Sequence, residues 1–173
     1  ADSLFYSVGY SGVASDAEGV EANNAHARLA FDVTRDITAG VFVVNGKNDT
    51  TQRDFDRKGV DFQGDFGDLR LQAAMVKAED DNAALTATDK NDAWSIQGMY
   101  VFKEGQRPTW VPVVRYDTYE KANGAEEYNE LVLNLTRYFT ENVKGYIEYW
   151  KQLDVPPTKT EDKRVTLQLQ LAF

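Results

Sequence analysis

The side chains able to do acid–base chemistry in this sequence are mostly carboxylates, and they come without the partners that catalysis needs. The single histidine, His26, lies beside acidic segments, where an imidazole can serve as a general base. A nucleophile, base and orienter would add a serine and a carboxylate at defined positions, and no spacing here marks such a set. The absence of cysteine removes thiol nucleophiles, thiolate metal sites and disulfides. The favoured reading of His26 is therefore an exposed residue flanking a loop, and no enzyme activity is expected. Carboxylates gather at Asp16, Glu18 and Glu21, at Asp49, Asp54 and Asp56, at Glu79, Asp80 and Asp81, and at Glu126 and Glu127. Such groups hold a divalent cation only when several oxygens converge, and the Asp-x-Asp-x-Asp-Gly calcium loop is missing. Neither a metal nor a cofactor is expected. A net charge of −9 with no Lys/Arg run excludes nucleic acid as a natural partner.

The elements that must carry these side chains show a period of two. From Arg164 to Phe173 one face carries Val165, Leu167, Leu169, Leu171 and Phe173, while the other carries Arg164, Thr166, Gln168, Gln170 and Ala172. Ala27, Leu29, Phe31 and Val33 alternate with Arg28, Asp32 and Thr34. The same holds for Val60, Phe62, Gly64 and Phe66, and for Trp94, Ile96, Gly98 and Tyr100. Further strands are predicted near Leu4–Gly12, Ala39–Gly46, Leu69–Ala78, Thr109–Tyr119, Tyr128–Tyr138 and Val143–Leu153, giving about ten. Pro112 lies inside one of them, where it removes a ladder donor, so a bulge is predicted there.

At 42% hydrophobic and 27% charged residues the composition looks like that of a soluble domain. No run approaches the roughly 20 apolar residues of a membrane helix. A transmembrane barrel passes this test, because its strands show lipid only every second residue. The links decide between the two. Short turns near Thr34–Thr38, Gly67-Asp68, Lys103–Pro108 and Phe139–Asn142 alternate with longer polar links at Val13–Ala25, Lys47–Lys58, Glu79–Asp92, Glu120–Glu127 and Asp154–Lys163. Outer-membrane barrels have this pattern, with short periplasmic turns and long extracellular loops. The expectation is thus an all-β protein, a single antiparallel transmembrane β-barrel domain over residues 1–173. The opening Ala1-Asp2-Ser3 carries no basic, apolar leader, as expected of a mature exported protein or of an excised fragment.

Two residue sets follow from that expectation. Aromatic girdles at the membrane interfaces would include Tyr10, Trp94, Trp110, Tyr138, Trp150 and Phe173. With apolar side chains outward, the lining of the interior would hold Arg28, Arg70, Arg115, Lys144 and Arg164, with Asp32, Asp61, Asp65, Asp117, Glu130 and Glu148. These nearly balanced charges are expected to pair with one another, since unpaired charge in a narrow interior is costly.

The C-terminal third carries a resemblance. Val113-Val114-Arg115-Tyr116-Asp117, Leu133-Asn134-Leu135-Thr136-Arg137-Tyr138-Phe139, Asn142-Val143-Lys144-Gly145-Tyr146-Ile147-Glu148-Tyr149 and the strand closing on Phe173 resemble the last strands of phosphate-selective (O/P type) porins. That family implies a sixteen-stranded channel of about twice this length. The chain is then either a small relative or the C-terminal part of a larger porin barrel, and the family's basic pore ladder has no match here. The function expected is passive diffusion of small, ionic solutes across the bacterial outer membrane. The alternatives are a plugged structural barrel or a soluble ligand-binding barrel. Outer-membrane lipid, lipopolysaccharide, the barrel assembly machinery reading the C-terminal strand, and further copies of the chain are the expected partners.

Overall fold

The computed structural model describes residues 3–11, 14–15, 19–20, 24–48, 53–82, 84–121 and 123–172. Phe173, Asp16, Glu18, Glu21 and Asp49 lie outside them. Ten long strands form one antiparallel sheet in which each pairs with its neighbours in sequence. They are β1 (Leu4–Ser11), β4 (Asn24–Thr34), β5 (Ile37–Asn48), β6 (Arg53–Phe66), β7 (Leu69–Asp81), β8 (Thr88–Tyr100), β10 (Arg107–Lys121), β11 (Glu126–Tyr138), β12 (Val143–Asp154) and β13 (Lys163–Leu171). A small pair, β2 (Ala14–Ser15) with β3 (Gly19–Val20), lies between β1 and β4, and β9 (Phe102–Glu104) continues β8 beyond Val101. β1 and β13 are the two edges of the sheet and make no contact with each other.

Turn chemistry sets the register at one end. Gly67 (φ 65°) and Gly105 (φ 64°) each open a two-residue turn, Gly67-Asp68 and Gly105-Gln106. A positive φ at the first position matches the right-handed twist of the flanking strands and is costly for any residue with a Cβ. Phe66 therefore faces Leu69, and Glu104 faces Arg107. At the other end the strands run farther than alternation predicts. β6 begins at Arg53, β7 reaches Asp81, β8 begins at Thr88, β10 reaches Lys121 and β11 begins at Glu126. The expected links Lys47–Lys58, Glu79–Asp92 and Glu120–Glu127 are thus largely strand. Polar residues keep the ladder going there, among them the Arg57–Asp80 ion pair at 2.5 Å and the hydrogen bond from Asn91 to Asp80 at 2.8 Å.

The bulge lies three residues from its predicted place. The β10–β11 ladder passes Pro112 without a shift, opposite Leu135. On the other side pairing lapses between Trp110 and Val113, facing the break at Val101, and the register shift falls between Pro108 and Trp110. The missing N–H of Pro112 thus falls where the neighbouring strand is interrupted, and the extra residue of the bulge, Thr109, lies nearer the turn in the same strand.

Register sorts the side chains onto two faces. One row runs Tyr6, Leu29, Val41, Val60, Met75, Trp94 across the first six long strands. On the later strands the same face carries Val114, Leu133, Tyr149 and Val165. These apolar residues are the exposed ones, with Val60 52%, Ile96 50%, Val114 51% and Ile147 46% accessible. The polar face is the more enclosed: in β6 every residue of the set Asp61, Gln63 and Asp65 is half-buried, while Val60, Phe62 and Phe66 are exposed. A soluble barrel or sandwich would reverse this, since its apolar face packs against a second layer. No large side chain among the described residues is fully buried, so the sheet holds no enclosed apolar core. Hydrocarbon is the medium that such a surface fits.

Leu133 lies in the middle of the apolar band and Gln168 on the opposite face. Leu133→Arg is expected to destabilise the chain refolded in lipid vesicles by about 2–4 kcal/mol, and Gln168→Arg by well under half of that. Reversible denaturant unfolding measures both, and equal losses would mean that the faces are misassigned.

Candidate functional site: the polar face

All eleven charged residues expected to line an interior, from Arg28 and Asp32 to Glu148 and Arg164, fall on the polar face. Arg28 (β4) reaches Asp61 (β6) across the whole of β5, its Nη2 at 2.6 Å and its Nε at 3.2 Å from the carboxylate. The side chains meet directly above Gly40, where a Cβ would stand 2.8 Å from Asp61 Oδ2 and 3.0 Å from Arg28 Nη2. Glycine here leaves the space that the ion pair occupies, and a side chain at this position would push the two groups aside. Asp65 and Arg70 pair at 2.5 Å near the Gly67-Asp68 turn, and Arg115 pairs with Asp117 two residues along the same strand at 2.8 Å. Asp32 accepts a hydrogen bond from Thr38 Oγ1 at 2.8 Å.

Glu130, Lys144, Glu148 and Arg164 do not follow the expected pairing, and among the described residues no ion pair forms at any of them. Trp150 donates Nε1–H to Glu130 at 2.9 Å, and Asn134 donates to Glu148 at 3.4 Å. Arg164 lies over the Trp150 ring at 5.6 Å and Lys144 over Tyr138 at 5.8 Å. Neutral donors and ring faces thus take the place of counter-ions on these strands.

That geometry corrects two of the interface aromatics. Tyr138 is opposite Lys144, and Trp150 is opposite Val132 and Arg164, which puts both rings on the polar face instead of against lipid. Tyr10, Trp94 and Trp110 are on the apolar face, with Trp110 under Arg137 at 4.7 Å. His26 lies on the polar face against Gly9, whose Cβ position is 2.6 Å from the imidazole Cε1. Neither a serine nor a carboxylate is hydrogen-bonded to it among the described residues. No group of three or more His, Asp or Glu side chains among those residues is placed to hold a metal ion.

Pattern reading missed a hydrogen-bonded amide row. Gln97 donates to Gln72 at 2.9 Å, Gln72 to Gln63 at 3.1 Å, and Gln63 to Asp65 at 2.9 Å. Once Gly67-Asp68 is fixed as a two-residue turn, Gln63 and Gln72 must face each other, so half of this row was accessible from the sequence. Toward the long-link end two concavities of about 410 and 620 Å³ open on the same face. Tyr119, Tyr128, Glu130 and Lys159 line the first; Arg57, Asp80, Asp89 and Lys121 line the second. Lys159, in the link between β12 and β13, donates to Tyr128 Oη at 2.7 Å. That hydrogen bond holds its ammonium above the ordinary lysine range.

No family model and no curated protein matches the sequence. Solved structures do match its fold. An anion-selective porin from Comamonas acidovorans superposes with a TM-score of 0.75 over 99% of this chain and 56% of its own, at 10% identity. The loop L8 deletion mutant of OmpT, an outer membrane protein of Vibrio cholerae, gives 0.66 over 99% of this chain and 59% of its own, at 19% identity. Neither is described as phosphate-selective. The chain spans a little under three-fifths of each, and at these identities the likeness is one of fold: these ten strands share the antiparallel sheet of those outer-membrane barrels.

Proposed function

We propose that this chain forms the wall of an outer-membrane pore through which small ionic solutes diffuse passively, lined by Arg28, Asp32, Asp61, Asp65, Arg70, Arg115, Asp117, Glu130, Lys144, Glu148 and Arg164. The observation that carries the reading is the inversion of the sheet, which exposes apolar side chains on one face and places the charges of β4, β6, β7 and β10 to β13 on the other. In hydrocarbon every backbone N–H and C=O needs a partner, so the free edges of β1 and β13 call for further pairing. β1 and β13 run antiparallel, so an added set of strands closes the ladder only if its number is even. Ten strands alone lie near the size at which side chains fill a barrel, and sixteen leave an aqueous channel. Closure by further strands therefore favours an open lumen over a plugged one, in keeping with the porin named above. The apolar face then meets lipid and lipopolysaccharide in the bacterial outer membrane, and β13, with Val165, Leu167, Leu169 and Leu171 outward, is the strand for the assembly machinery to read. No chemical step is assigned to any residue.

Conductance in planar bilayers tests the pore: discrete current steps are expected, and a tight bilayer with inserted protein would show a plugged barrel instead. Orientation is checked in cells. An epitope inserted in the link at 82–87 is expected to be reached by antibody from outside intact cells, whereas one at 139–142 is reached only after permeabilisation. The reverse result would invert the topology.

A further inference from the structure

We propose that the polar face of β11, β12 and β13 is a track for zwitterionic solutes of short-peptide size, formed by Glu126, Lys159, Glu130, Arg164, Glu148 and Lys144. The inference rests on the pore reading above and names the solute class for it. Taken from the long-link end toward the turn end, these six charges alternate in sign. Glu126, Tyr128 and Glu130 are successive same-face positions of β11, and Lys159 lies over the Tyr128 ring at 5.0 Å. Trp150, opposite Arg164 and Val132, occupies the next row, followed by Glu148 with Asn134 and Thr166; Lys144 with Tyr138 lies two rows farther on. Same-face rows are spaced by about 6.6 Å along a strand.

Each charge is oriented by a neutral group and keeps its charge for a ligand. Tyr128 donates to Glu126 at 3.0 Å, Trp150 to Glu130 at 2.9 Å and Asn134 to Glu148 at 3.4 Å. The three cations rest on the rings of Tyr128, Trp150 and Tyr138. Among the described residues none of the six forms an ion pair, whereas on β4 to β10 Arg28, Arg57, Arg70 and Arg115 are each closed onto an aspartate. Asp117, directly opposite Glu130, is taken by Arg115. A singly charged ion moving along this track is attracted by one row and repelled by the next. A zwitterion with its ammonium and carboxylate about one row apart is attracted at both ends in each position from Glu126 to Glu148, stepping by exchanging both contacts together, and crosses the neutral row of Thr136, Tyr146 and Gln168 before it reaches Lys144.

Glycylglycine is the probe, with acetate and methylammonium as its singly charged halves. Calorimetric titration of the unaltered chain refolded in detergent is expected to show saturable glycylglycine binding, with Trp150 emission shifting in parallel and the shift lost in Trp150→Phe. Glu130→Gln and Arg164→Gln should each weaken it by up to about fivefold, the value of one exposed ion pair. Acetate binding as tightly as glycylglycine, equal affinity in both variants and the parent, or no saturable heat would each overturn the track. Bilayer currents on the same preparation separate the two claims. Binding without conductance supports the track and refutes the pore, while conductance without preference for glycylglycine keeps the pore and refutes the track.

Discussion

Everything in this structure depends on an unbroken antiparallel ladder. A strand surrounded by hydrocarbon has no water to satisfy its peptide groups, so each long strand must lie between two others along its whole membrane length. The ladder from β4 to β12 meets that demand, even at Pro112, where the break falls in the adjoining strand at Val101. With backbone polarity satisfied within the sheet, side-chain polarity is free to follow position. Apolar groups lie outward and charged groups inward, because a period of two gives each strand one face of each kind.

Two ways of holding charge coexist on the inner face. From β4 to β10 guanidinium groups close onto aspartates, and Gln63, Gln72 and Gln97 relay hydrogen bonds across three strands. That region behaves as a stiff polar wall, as its charges are spent internally. From β11 to β13 the charges lie against rings and amides, and their fields reach into the space that they face. Exposed ion pairs contribute little to stability, at most about 1 kcal/mol each, so the division matters more for what a solute meets than for how firmly the sheet holds together.

Strand number, short-turn positions and the division into faces were legible in the sequence, because each rests on local rules: alternation such as Val165 to Leu171, and turn residues such as Gly67-Asp68. The strand ends at Arg53, Asp81 and Lys121 were not, because outside the lipid layer pairing no longer requires alternation. The aromatics Trp150 and Tyr138 were assigned by nearness to strand ends, a criterion blind to parity; counting residues from Ile147 and from Leu135 along their own strands would have placed them on the polar face. The Arg28–Asp61 contact needs two registers and a vacancy above Gly40, so it emerges only once three strands are assembled. The free charges of β11 to β13 depend on which neighbour reaches each carboxylate first, which side-chain geometry alone decides.

In the orientation proposed above, the strands that outrun the apolar band face the outside of the cell. Beyond that band β6, β7 and β8 continue as paired sheet, β7 to Asp81 and β8 from Thr88. Proteases take substrates as extended single strands, and a residue held between two partners must first leave both. The far end of this wall is therefore a parapet that presents few places to cut, and its durability comes from the same ladder of hydrogen bonds that runs through the apolar band.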